Sequence, residues 1–98
     1  MEGQLIEKTS ESKKCDPVIL AKKTIEKLIE AKRMLEETMN CVFSRQDFEI
    51  YGKLTSVKYS IDALIDAIAY DINLRYHPKI WIDSLYTKVR IVDKIPEE

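Results

Sequence analysis

The sequence predicts an all-α fold: an antiparallel hairpin of two long helices with a shorter third helix, completed into a helical bundle by dimerisation. Two long segments repeat apolar residues every three or four positions, and capping residues or prolines mark their ends. The 98 residues, 45% of them apolar and 34% charged, supply one small core, and association would enlarge it. We expect a flexible arm at residues 1–15, one helical domain at 16–95 and a tail at 96–98.

The first helix is predicted over about residues 17–42. Asp16 is a suitable N-cap, and Pro17 suits the first helical position. Lys32 and Glu36 interrupt the apolar stripe, four residues apart. They pair with each other or with a partner helix, or their stems extend past the core to water. The stripe consists of Val18, Ala21, Ile25, Leu28, Ile29, Leu35, Met39, Val42 and Phe43.

The second helix is predicted over about residues 45–76. Ser44 is its expected N-cap, with Asp47 three residues later as a short capping box, and Pro78 prevents continuation. Gly52 is compatible with a kink or with a start near residue 53. The main apolar seam of this helix is Ile50, Leu54, Val57, Ile61, Leu64, Ile65, Ile68 and Ile72.

Three carboxylates and the single histidine, His77, fall close together in the sequence around the second helix. On a helical wheel Asp62 and Asp66 lie in a narrow wedge beside Asn73, whereas Asp71 lies on a different edge. The carboxylates therefore do not converge, and this arrangement is typical of a solvated strip.

The third helix is predicted to begin at Pro78 and to run through about residue 93. Trp81, Leu85, Val89 and Val92 return at helical spacing. The segment TKVRIV is rich in β-branched residues and partly alternates. Residues 85–95 therefore have two interpretations, helix or short strand, of which we prefer the helix.

A second packing face on the second helix is the predicted dimer interface. Its small residues allow another backbone to approach closely, and its tyrosines tolerate a wet rim. The alternative is that the third helix covers this face. We call these residues the tyrosine stripe: Ser56, Tyr59, Ser60, Ala63, Ala67, Tyr70 and Leu74.

The sequence predicts no catalytic residues, no cofactor and no metal site, so we expect a protein that is not an enzyme. His77 is the only conventional base for Cys15 or Cys41, and Gly3 and Gly52 form no phosphate-binding loop. Cys15 and Cys41 bracket the first helix, which holds their Cα atoms roughly 39 Å apart and precludes an intrachain disulfide.

The predicted function is that of a non-catalytic helical interaction protein, acting as a homodimer or as a small subunit or adaptor of a larger intracellular assembly. The formal charge of −1 argues against a general polycation for nucleic acid. No apolar run approaches the ~20 residues that span a bilayer, and no secretory h-region is evident, so we expect a cytoplasmic protein without a membrane partner. The alternative is a nucleic-acid-associated factor using the basic-aromatic half of the chain: Lys58, Arg75, Lys79, Trp81, Lys88 and Arg90.

Overall fold

The computed structural model describes residues 15–96, so most of the predicted arm and tail lie outside the described residues. The chain is mostly helical, as predicted, but its third element is a β-hairpin and the predicted third helix is wrong. The elements in order are α1 (Pro17–Ser44), α2 (Phe48–Arg75), β1 (Lys79–Ile82) and β2 (Val89–Val92).

The N-terminus of α1 has the predicted cap. The Asp16 carboxylate accepts hydrogen bonds from the backbone N–H groups of Val18 at 3.0 Å and Ile19 at 3.2 Å, which satisfies donors that the first turn leaves unpaired. The helix runs two residues further than predicted, to Ser44. Ser44 is therefore not the cap of α2; its hydroxyl donates to the carbonyl of Cys41 at 2.8 Å.

A short connector reverses the chain between the helices. Gln46 adopts a left-handed backbone with φ of 63°, and the Asp47 carboxylate accepts from the N–H of Ile50 at 3.3 Å as the N-cap of α2. The helix passes through Gly52 without interruption and ends at Arg75. A start near residue 53, considered from the sequence, does not occur.

The β-hairpin replaces the predicted third helix because two four-residue runs alternate and are joined by a six-residue turn, residues 83–88. The strands are antiparallel, with Lys79 opposite Val92 and Ile82 opposite Val89. Alternation places one apolar set on one face of the ribbon; it comprises Ile80, Ile82, Val89 and Ile91. The helical spacing that joined Trp81 to Val89 was coincidental.

Asp83 organises the turn of the hairpin. Its Oδ1 accepts from the N–H groups of Thr87 at 2.7 Å and Lys88 at 2.8 Å, and its Oδ2 accepts from the Thr87 hydroxyl at 2.6 Å. The hydrogen bond from the Thr87 side chain, followed by the backbone donors, lowers the pKa of Asp83. Tyr86, inside the turn, has a left-handed backbone with φ of 57°.

The hairpin lies over one side of the helix pair at its open end, with β2 contacting α1 and β1 contacting α2. Ile25, Ile65 and Ile80 are the largest fully buried side chains and come from three different elements. The core consists of Val18, Ala21, Ile25, Ile29, Ile65, Ala69, Ile80 and Val89. We call the side of the helix pair that carries the hairpin the front face, and the opposite side the back face.

Candidate interaction surfaces

Two ion pairs join α1 to α2. Lys32 Nζ lies 3.0 Å from Asp62 Oδ1, and Lys58 Nζ lies 3.1 Å from Glu36 Oε2. The hydrogen bond with Glu36 raises the pKa of Lys58. Lys32 and Glu36 thus pair with the neighbouring helix, and Lys32, which is 8% exposed, does not extend to water. The pairs hold residue 32 level with residue 62, and residue 36 level with residue 58, so they set the antiparallel register.

Lys32 also contacts the turn of the hairpin. Its Nζ lies 3.4 Å from the carbonyl oxygen of Leu85 and 5.3 Å from the centroid of the Tyr86 ring. The hydroxyl of Tyr86 donates to Asp66 Oδ2 at 2.6 Å, and this bond is the main cause of the raised pKa of Tyr86. Asp62 Oδ1 is buried without an aligned hydrogen bond, so its contact with Lys32 is an ion pair by charge and distance.

Asn73 attaches β1 to α2. Its amide donates to the carbonyl of Ile80 at 2.9 Å, and its side-chain oxygen accepts from the N–H of Ile80 at 2.7 Å. Asp62, Asp66 and Asn73, expected to form a solvated strip, therefore mark the line along which α1 and the hairpin attach to α2. Asp71 remains exposed. The helical wheel correctly placed Asp62, Asp66 and Asn73 on one side of the helix, but it could not show which residues they contact.

The polar side chains of Lys32, Asp62, Asp66 and Tyr86 hold the helices and the hairpin together because they pair with one another. Lys32 and Asp62 neutralise each other, and Asp66 accepts the hydroxyl of Tyr86. Within residues 15–96, no three His, Cys, Asp or Glu side chains are grouped so as to hold a metal ion. Cys15 and Cys41 are exposed thiols at opposite ends of α1, and His77 is exposed after α2.

The tyrosine stripe lies on the outer edge of α2, away from α1. All seven of its residues are exposed, and Tyr59 and Tyr70 each have an exposed fraction of 66%. The hairpin lies on the front face and leaves the stripe exposed, although Tyr70 also lines a pocket beside β1. The stripe is therefore available to a partner, and its role as an interface stays a prediction.

The back face is a second exposed surface, which apolar periodicity alone does not distinguish from the seam between the helices. At about 100° per residue, the positions that point away from the hairpin carry one charged side chain, Arg75 in the last turn of α2, and Lys53 and Asp71 lie at the border. Ile50, Val57 and Leu64 recur every seven residues and are 44%, 46% and 48% exposed. The back face comprises Leu20, Thr24, Leu28, Ala31, Leu35, Thr38 and Val42 of α1, and Ile50, Leu54, Val57, Ile61, Leu64 and Ile68 of α2.

The six residues predicted to contact nucleic acid do not form one set. Lys58 pairs with Glu36, Lys79 Nζ donates to the carbonyls at the end of α2, and Arg75 is exposed at that end. Trp81, Lys88 and Arg90 do lie together on the hairpin, where the Arg90 guanidinium carbon is 4.9 Å from the centroid of the Trp81 ring.

A groove of about 680 Å³ runs between α1 and β2 on the front face. Five cationic side chains and two carboxylates line it, a net charge of +3 in a chain whose total is −1. The contribution of α1 could not be predicted from the sequence, because Lys23 and Arg33 come close to Lys88 and Arg90 only in the folded chain. The lining comprises Lys23, Glu26, Lys27, Ile29, Glu30, Arg33, Thr87, Lys88, Val89 and Arg90.

No protein-family model matches the sequence, and no curated protein or solved structure is significantly similar to it. Among the helices of residues 15–96, none has the length and apolar character needed to cross a membrane. Function must therefore be inferred from the back face, the tyrosine stripe and the groove.

Proposed function

We propose that this chain is a non-catalytic helical interaction protein that acts as a homodimer, in which two copies join through their back faces as a four-helix bundle. The observation that supports it is a half-exposed to exposed, largely aliphatic surface that extends over both helices and carries a single charge, Arg75, at one end. A contiguous apolar surface of this kind on a small protein typically marks an interaction site.

The size of the back face suits a stable dimer. Each helix has 28 residues, so it is about 42 Å long at about 1.5 Å per residue. Two helices packed side by side are about 20 Å wide. The face therefore offers roughly 800 Å² per copy, which is about what each partner contributes to an interface of standard size.

The back face is complementary to a second copy of itself. In the register that the ion pairs set, Ala31 and Thr38 of α1 lie level with Leu64 and Val57 of α2. A two-fold axis parallel to the helices places α1 of one copy against α2 of the other, antiparallel and at the same level. Small residues then meet large ones in both halves of the interface.

Other arrangements fit less well. A two-fold axis perpendicular to the helices would bring the large row of α2 against itself and the small row of α1 against itself. The tyrosine stripe belongs to a single helix and offers about half the area. A helix pair of a different protein, as in a larger assembly, would fill the back face if the second copy does not.

The test compares two alanine-to-glutamate substitutions by sedimentation at micromolar concentration. Ala31 lies on the back face and Ala63 lies on the tyrosine stripe, and both are exposed in helices of 28 residues. Ala31→Glu should give a folded monomer because it buries an unpaired charge in the interface. Ala63→Glu should remain a dimer. The reverse pattern would assign the interface to the stripe, and a monomeric wild type would exclude homodimerisation.

A mixing experiment tests the two-fold arrangement. Leu64→Lys alone should also be monomeric, but an equimolar mixture of Ala31→Glu and Leu64→Lys chains should form heterodimers. In the heterodimer, Glu at position 31 of one chain faces Lys at position 64 of the other, while the second half of the interface keeps the native residues. If the mixture stays monomeric while each single variant is folded, the parallel two-fold axis is wrong.

A further inference from the structure

We infer that the front-face groove between α1 and β2 binds the phosphate backbone of a single-stranded nucleic acid, whose bases stack on the aromatic side chains beside the groove. This inference does not depend on dimerisation, because the groove lies on the face opposite the proposed interface.

The positive charge of the groove is largely uncompensated. Glu26 is held by Lys22, outside the groove, at 2.6 Å, and Glu30 lies 3.8 Å from Lys27. Four cations of the lining, Lys23, Arg33, Lys88 and Arg90, have no carboxylate within ion-pair distance in residues 15–96. Clustered cations without carboxylate partners attract a polyanion. Their contacts with the phosphates also release the counterions condensed on the nucleic acid, which favours binding.

The shape of the groove suits an extended strand. Lys23 and Arg33 are ten residues apart on α1, about 15 Å along the helix. The opposite wall carries Lys88, just before β2, and Arg90, within it. The cations therefore form two rows along a channel that is open at the surface. A backbone with regularly spaced phosphates contacts both rows, whereas a single phosphate group contacts only one or two side chains.

Two aromatic side chains lie beyond the groove, Trp81 on the outward face of the hairpin and Tyr70 on α2. Arg90 stacks on Trp81, and Trp81 with Tyr70 lines a second pocket, of about 430 Å³, on the far side of the ribbon between α2 and β1. Cations followed by aromatic rings form the combination with which proteins bind single strands without reading their sequence. This combination distinguishes nucleic acid from polyphosphate, which has no bases to stack.

The experiment measures fluorescence anisotropy of a labelled 20-nucleotide single strand against the full chain, with matched charge reversals. Lys88→Glu lies in the groove. Lys53→Glu is its control, because Lys53 is a similarly exposed lysine on α2, outside the groove. We expect Lys88→Glu to weaken binding at least tenfold in 50 mM salt, and Lys53→Glu to change it less than twofold. Each phosphate contact that is lost should reduce the log–log salt slope by about 0.7.

Trp81 is the only tryptophan in the sequence, so its emission reports stacking directly. Binding of the unlabelled strand should quench it, whereas inorganic polyphosphate should not. Ala31→Glu should retain the affinity of each chain for the strand, which separates this inference from the dimer. The inference is overturned if the single strand does not bind in 50 mM salt, or if both charge reversals weaken its binding equally. It is also overturned if polyphosphate binds as tightly and the strand leaves Trp81 emission unchanged, or if duplex nucleic acid binds more tightly than the single strand.

Discussion

The side chain of Lys32 contacts both α2 and the hairpin from its position on α1. Its ammonium group lies near a carboxylate, a carbonyl oxygen and an aromatic ring. Burying a charge is costly unless such partners surround it. The pairing therefore favours one relative position of the three elements, because any other position leaves an unpaired charge out of water.

Lys32→Met should destabilise the fold by about 1–3 kcal/mol, since it leaves Asp62 with a partly buried charge and no cation. The double variant Lys32→Met with Asp62→Leu should recover most of the loss, because apolar residues of similar volume replace both charges. Urea unfolding followed by circular dichroism measures both changes. If the single variant is as stable as the wild type, the ion pair does not hold the elements together.

The helices and the hairpin differ in how far the sequence predicts them. Periodicity over 28 residues predicts each helix, and Asp16 shows where α1 starts. Two strands of four residues are too short for alternation to stand out, and helical spacing fitted the same segment. The interaction surfaces were predicted less completely, because a wheel shows which side of a helix is apolar but not which side the hairpin covers. The groove needs residues from both ends of the chain.

The hairpin should be sensitive to acid through Asp83. Because the pKa of Asp83 is lowered in the folded chain, its contribution to stability is complete above its ordinary pKa of about 4 and is lost as the pH falls through the lower folded value. Asp83→Asn keeps the backbone hydrogen bonds to Oδ1 but does not ionise. Its Trp81 emission should therefore change less than that of the wild type as the pH falls below about 4.

The control for this titration is helical circular dichroism, recorded on the same samples. This signal reports the helical structure of α1 and α2. If acid first unfolds only the hairpin, Trp81 emission changes while the helical signal stays the same. An identical acid midpoint in Trp81 emission for the wild type and Asp83→Asn would show that the turn carboxylate does not determine acid stability.

Buried apolar side chains are unevenly distributed along the helix pair. The hairpin and the open end of the helix pair contain all of the clustered core, whereas Met39 is the one buried hydrophobic residue toward the connector in the described chain. Near the connector, Phe43 contacts Phe48 and Tyr51 with ring centroids 5.5 and 5.1 Å apart, yet Phe43 and Phe48 are exposed. In the proposed dimer, the second copy covers this half from the back face.

Hydrogen exchange should therefore depend on association. In monomeric Ala31→Glu, amides of residues 35–57 should exchange faster than those of the hairpin-covered half, because local opening there exposes little core. In the wild type at concentrations that favour the dimer, this difference should shrink. Equal protection of both halves in the monomeric variant would contradict the proposed dependence on a second copy.

Two substitutions that suit the local backbone conformation should raise the free energy of unfolding. The left-handed position of the connector carries Gln46, where glycine has no steric penalty. Gly52, by contrast, sits inside α2 with open space where a Cβ would be, and alanine there should gain about 1 kcal/mol. Gln46→Gly with Gly52→Ala would place each residue type where the backbone favours it. Both positions lie outside the back face and the groove, so the more stable chain would keep both proposed binding surfaces.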